Sequence, residues 1–487
     1  MSTTFIKRAA TGAVAVSLAF SALVVGGNSA SATNIATRTA SAAVDTTYLQ
    51  SVSPDLPANN VIETVTYDRF QWLLRQPGQF AFVIGSAADS GFAANLVKVD
   101  TAAKAAGTTK VYWFDPNLTG QTGIKSLDVR NTANINLAAN SQTIFGNVWK
   151  NVLGQHLGNG IKSVPSATKT TVTITADDTV VNDSVDPIWD YSSTASGAPS
   201  TTNDFFFVYD KDAVANGVAD KITSWVNLST NGAVETAVPA AFTAAGGGSV
   251  IDQLSQFEWW KDSANSKHDL AYSDDTKFGG DILTSTDDDN GWVVKQITYP
   301  ELLHLLDVSD SADKNFVILF GGTWCHNTRA VLKQVNQNAV ENGVTTVYNF
   351  DLVLDGGTTN GTNGSANPIH VRSAANGGTP AAFNFRPSWV YGDVVRKYFK
   401  NLVTEYDANG GNFVSYYPGA DLTAFPDVVR KLQVPFLINY QHGNTSTPST
   451  TSIKRQWIQR NVDPSTGLPT YREYMSEQWF TTPSAQL

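Results

Sequence analysis

The chain has 487 residues, of which 42% are hydrophobic and 16% charged, and its formal net charge is −10 at pH 7. That is ample material for two packed domains, and the acidic balance argues against nucleic acid or anionic lipid as a partner. A single cysteine, Cys325, excludes an internal disulfide, so the apolar core alone must hold the fold.

In chain order, Lys7 and Arg8 precede an apolar stretch from Ala9 to Val25 and then Ser29-Ala30-Ser31-Ala32. A charged region, an apolar region and an A-x-A site predict a secretory signal peptide over residues 1–32, cut after Ala32. No cysteine follows to carry a lipid, and no other segment is long and apolar enough to span a bilayer. Leu468-Pro469-Thr470 is followed by no apolar tail. The expected product is secreted, extracytoplasmic and without stable membrane insertion. Residues 33–58 read as a linker, 59–230 as a first domain, 231–256 as a second linker ending in Ala244-Ala245-Gly246-Gly247-Gly248, and 257–487 as a second domain.

The two domains repeat one another. Phe80 to Asp115 aligns without a gap on Phe316 to Asp351, placing Gly85 on Gly321, Gly107 on Gly343 and Val111-Tyr112 on Val347-Tyr348. Upstream, Val65-Thr66-Tyr67 pairs with Ile297-Thr298-Tyr299. Downstream, Val129-Arg130 pairs with Val371-Arg372, and Phe205 to Tyr209 pairs with Phe436 to Tyr440. A period this long indicates two copies of one domain and not a solenoid.

The second copy carries the chemistry. Phe316 to Phe320 is an apolar run of strand length, stopped by Gly321-Gly322 and followed by Thr323-Trp324-Cys325-His326-Asn327-Thr328. The next segment, Arg329 to Val340, has Val331, Leu332, Val335 and Val340 at helical spacing, so the thiol is expected near the first turn of a helix. There the helix dipole and unpaired backbone N–H groups favour thiolate over thiol. Thr345 to Asp351 reads as the next strand. Later, Leu432-Gln433-Val434-Pro435 leads into Phe436 to Tyr440, and Ser452 to Val462 reads as a closing helix with Ile453, Trp457 and Ile458 on one face.

This order of motifs resembles the thioredoxin superfamily, whose W-C-x-x-C turn precedes a helix and whose cis-proline loop faces the thiol. The second cysteine position is Thr328 here, and the buried acid of the family, six residues before the first cysteine, is Leu319. The resemblance implies an α/β fold of two tandem thioredoxin-like domains. Each would have a central mixed sheet flanked by helices and a long insertion before the cis-proline strand. In the second copy that insertion opens with Gly356 to Gly364 and includes a helix expected around Val394 to Tyr406. The first copy has Asp89, Ala88 and Asp204 where the second has Cys325, Trp324 and Pro435, and is therefore degenerate.

By the same resemblance Cys325 is the nucleophile, His326 is placed to lower its pKa if protonated, and Thr328 to hydrogen-bond the thiolate. Trp324, Val434 and Pro435 line the substrate groove. The implied activity is monothiol thiol–disulfide exchange with extracytoplasmic proteins or low-molecular-weight thiols, possessing no cofactor. The alternative is a redox-inactive binding module at the cell surface. The histidines show no metal-ligand spacing. His304 reads as a structural helix residue and His442 as a turn residue. Asp287-Asp288-Asp289-Asn290-Gly291 lacks the flanking acids of a calcium loop and reads as a solvated loop. Phe257-Glu258-Trp259-Trp260 reads as a packed interdomain segment in preference to a sugar-stacking platform.

Overall fold

The computed structural model describes residues 47–129, 204–215, 218–219, 221–229, 232–271, 281–289, 291–307, 315–356, 369–372, 387–402, 413–441 and 452–458. The expected signal peptide, most of the first insertion, parts of the second, His156, His442 and the Leu468-Pro469-Thr470 triplet lie outside these residues. The described residues form a mixed α/β structure built on two five-stranded mixed sheets flanked by helices.

The first half contains α1 (Thr47–Val52), β1 (Ile62–Val65), α2 (Tyr67–Leu73), β2 (Gln79–Ile84), α3 (Phe92–Ala105) and β3 (Val111–Phe114). After the insertion come β4 (Phe205–Asp210), β5 (Ile222–Asn227) and α4 (Val234–Ala244). Its sheet order is β1-β3-β2-β4-β5, with β1, β2 and β3 parallel and β4 and β5 antiparallel to their neighbours. The continuous apolar runs of β2 and β4 fit this placement, because central strands are covered on both faces.

The second half contains α5 (Gln256–Ala271), α6 (Ser285–Asp289), β6 (Val294–Gln296), α7 (Tyr299–Asp307), β7 (Asn315–Phe320), α8 (His326–Glu341) and β8 (Val347–Phe350). It continues with α9 (Ser388–Tyr398), β9 (Phe413–Tyr416), β10 (Asp427–Arg430), β11 (Phe436–Gln441) and β12 (Ile453–Ile458). The sheet order β6-β8-β7-β11-β12 repeats that of the first half, direction for direction. Strands β9 and β10 form a separate antiparallel hairpin.

The repeat extends to local geometry. Thr66 and Thr298 each cap the helix that follows, accepting from Arg69 N and Glu301 N at 3.3 Å. Gly107 and Gly343 end α3 and α8 at φ +82° and +87°, the left-handed conformation that helix termini favour in glycine. Beyond β3 and β8 the chain closes the same loop twice. Val129 N donates to Pro116 O at 2.9 Å, and Val371 N to Leu352 O at 2.8 Å.

Four expectations change. Ser452 to Val462 was expected to be helical, yet Ile453–Ile458 is the edge strand β12, because the open side of β11 offers backbone partners that a helix there would leave unsatisfied. The stretch 231–256 is not a bare linker: α4 buries Val234, Val238, Ala241 and Phe242 against the first half's core. Within 33–58, α1 buries Tyr48 and Leu49 in that core, and Leu56 joins them. The helix expected over Val394–Tyr406 runs from Ser388 to Tyr398, directly after Pro387.

Nor are the halves separate cores. Phe257, Trp259 and Trp260 of α5 are buried in one apolar cluster that includes Phe70, Phe82 and Phe114 of the first half and Val317, Val331 and Val335 of the second. The aromatic segment is thus a packed junction. His304 joins it from α7, with Nε2 2.8 Å from Thr47 Oγ1 and its ring edge-on to Tyr48.

Candidate functional site

Cys325 stands between β7 and α8 as the N-cap residue of the helix, in extended backbone conformation and without a side-chain capping bond. The first-turn N–H groups of a helix have no intrahelical partners. Val331, Leu332, Val335 and Ala339 form the buried face that seats α8 on the sheet and so fixes where the thiol points. Cys325 is 9% exposed, and its Sγ donates to Val434 O at 3.7 Å. The Val434–Pro435 bond is cis. Strand β11 begins at the next residue and pairs Phe436 with Phe320, which brings the two ends of the site together across the sheet. The structure therefore juxtaposes Trp324, Cys325, Val434 and Pro435.

Trp324 is half-buried and does not lie free along a groove. Its Nε1 donates to Asp351 Oδ1 at 2.8 Å, and its ring lies 5.4 Å from that of His370. Asp351 Oδ1 also accepts from Val353 N at 2.8 Å, while Oδ2 is buried with no hydrogen-bond partner among the described residues. Burial pushes the Asp351 carboxyl up to about 7, against the opposing pull of the Trp324 bond. Gly322 makes this arrangement possible: a Cβ there would stand 1.8 Å from Asp351 Oδ2 and 2.5 Å from Trp324 Nε1.

Thr328 is fully buried, and its hydroxyl has no hydrogen-bond partner among the described residues; the expected bond to the sulfur is not formed. Its Oγ1 instead lies against Gly321, where a Cβ would meet it at 2.6 Å. His326 is exposed on the first turn. Desolvation, and then the Arg329 guanidinium, hold its imidazole below the ordinary value, so at neutral pH it does not supply the positive charge expected of it. Arg329 is a fixed cation at the turn; it is buried and donates from Nη1 to Thr323 O at 2.7 Å.

In the first half Asp89 takes the place of Cys325, and its Oδ2 accepts from Ser86 N at 3.2 Å. Asp204 is buried, and its Oδ1 would lie 2.7 Å from a Cβ on Gly85. The equivalent of Asp351 is Asp115, which accepts from Asn117 N and Ala87 N. Carboxylates stand where the second half has a thiol and a proline, and that of Asp89 accepts from backbone.

Three side chains that sequence reasoning passed over belong to the site. Asp351 directly follows strand β8 and belongs to no motif. Lys267 lies in α5, far from any motif, yet its Nζ donates to Thr323 Oγ1 at 2.7 Å. Asp68 comes from the other half and lies 3.7 Å from the same ammonium. The repeat itself was the one available signal, since it aligned Asp115 with Asp351. Between the halves, Thr66, Tyr67, Asp115, Thr298, Tyr299 and Asp351 line a cavity of about 40 Å³, enough for one or two waters. Thr66 Oγ1 donates across this junction to Gln296 Oε1 at 2.7 Å.

Among the described residues no group of three or more His, Cys, Asp or Glu side chains is placed to hold a metal ion. Asp287, in the stretch that lacks the acids of a calcium loop, lies in the first turn of the short helix α6, accepts from Thr284 N and pairs with Lys333 at 2.9 Å. Among the described residues no helix is long and apolar enough to cross a membrane. Comparison of the chain with protein-family models, curated proteins and solved structures finds no match.

Proposed function

We propose that the chain is an exported protein of two tandem thioredoxin-like halves, and that the second forms mixed disulfides through Cys325 with extracytoplasmic proteins or small thiols. The observation that carries this reading is the position of Cys325, at the N-cap of α8 and with Sγ beside the carbonyl of Val434, one residue before Pro435. The strand order β6-β8-β7-β11-β12, with β11 alone running against the other four, supports the family resemblance drawn from the motifs. The n-region and A-x-A site support export.

The chemistry is simple and balanced. The Cys325 thiolate attacks one sulfur of a partner disulfide, a new S–S bond forms to that sulfur, and the other sulfur leaves as a thiolate that takes up a proton. With one cysteine in the chain, the mixed disulfide is released only when an external thiol attacks it.

A second reading, a redox-inactive binding module, is favoured by one observation: the sulfur is nearly buried and donates to a backbone carbonyl. The rate at which the folded protein acquires a glutathione adduct from oxidised glutathione at neutral pH separates the two. Exchange function predicts a folded rate at least ten times that of the urea-unfolded chain. A folded rate at or below the unfolded one sinks the exchange reading and leaves the binding module.

A further inference from the structure

The half that lacks sulfur reaches the thiol turn through one ammonium group. Lys267 Nζ donates to Thr323 Oγ1 at 2.7 Å, to Ser263 Oγ at 3.2 Å and to Gly356 O at 3.1 Å, and it pairs with Asp68 Oδ2 at 3.7 Å. Ser263 and Thr323 share a further bond of 2.7 Å. Thr323 is fully buried and stands two residues before Cys325; its carbonyl is held from the other side by Arg329. Asp68 belongs to α2 of the first half and is itself buried. It packs against the Cα of Gly356, where φ is +70° and a Cβ would fall 2.0 Å from Asp68 Oδ2. The contact thus requires glycine twice over, for conformation and for space.

We propose that Asp68 and Lys267 form a charge pair by which the sulfur-free half controls the reactivity of Cys325. Lys267 is a positioning residue: it fixes Thr323 and holds a positive charge beneath the turn, while Asp68 tempers that charge. This rests on the exchange reading, since it concerns the rate of the same thiol. The field at the turn is the sum of few groups. Arg329 and Lys267 are positive, Asp68 is negative, Asp351 becomes negative only above about pH 7, and Arg75 faces Asp68 from beyond the end of α2. In a poorly solvated site, removing either member of the pair leaves the other's charge uncompensated, and the two removals act on a developing thiolate with opposite sign.

The test is the rate at which Cys325 in the full-length protein reacts with an aromatic disulfide reagent at pH 8. Lys267→Met is expected to slow the reaction about threefold or more and Asp68→Asn to speed it about threefold, each being about half a pKa unit of thiolate stabilisation. A loosened turn alone moves both rates the same way. Asp68→Asn keeps the shape of the side chain, so it decides the matter if Lys267→Met does not fold. Equal-direction changes, or rates unmoved by Asp68→Asn, overturn the proposal. A wild-type thiol inert to the reagent ends the exchange reading and this one together, whereas a reactive thiol indifferent to both variants ends this one alone.

Discussion

Trp324 and Asp351 are joined indole to carboxyl at 2.8 Å, and this bond ties the residue before the thiol to the end of strand β8. Its strength depends on burial, and burial also holds a proton on the acid up to about pH 7.

That proton has a measurable consequence for stability. An acid whose folded pKa exceeds its unfolded value binds protons more tightly when folded. Its contribution is therefore complete below the unfolded value of about 4 and is lost as pH rises toward 7. Burial likewise raises Asp68 and Glu301, which act in the same sense. The urea midpoint of the wild type should fall between pH 5 and pH 8, and Asp351→Asn should fall less. An equal fall in both proteins would remove Asp351 from the account.

Gly322 is the second test of this bond. A methyl group at that position collides with both members, so Gly322→Ala should cost about 1–3 kcal/mol of stability, the usual range for overpacking. Thermal unfolding followed by tryptophan emission checks it. An unchanged midpoint would mean that the turn relaxes freely.

The junction aromatics predict cooperative unfolding. Trp259 and Trp260 are buried in a cluster drawn from both halves, so Trp259→Ala should destabilise the protein by about 3–5 kcal/mol. Calorimetry of the wild type should give one transition. Two well-separated transitions would show that the halves melt independently.

Cys325→Ser should be structurally quiet. The sulfur makes one weak bond, to Val434 O, and a hydroxyl fits the same space, so the cost should stay within about 1 kcal/mol. Guanidinium unfolding of the variant measures it. A larger loss would assign the cysteine to packing and weaken any chemical interpretation of its phenotype.

Edge pairing is testable at β12. Gln456 lies opposite Ile438, and Gln456→Pro deletes a backbone donor from the strand, which should lower stability and expose the 452–458 segment to protease. A helix at this position, as the spacing of Ile453, Trp457 and Ile458 implied, would resist cleavage only in the wild type and would lose its helical circular dichroism in the variant.

The sequence by itself determined the duplication, the central strands and the helix that Cys325 caps. These depend on local patterning: continuous apolar runs make buried strands, and Val331, Leu332 and Val335 recur at helical spacing regardless of what lies elsewhere. Only the tertiary structure decided that 453–458 is a strand, that 234–244 is a packed helix, and that the two halves share a core. Each of those outcomes depends on a partner distant in sequence. The same holds at the site. Asp351, Arg329, Lys267 and Asp68 carry no motif, and their chemistry arises because burial shifts a carboxyl's affinity for protons and places an ammonium from α5 and a carboxylate from the other half beside the turn that bears the thiol.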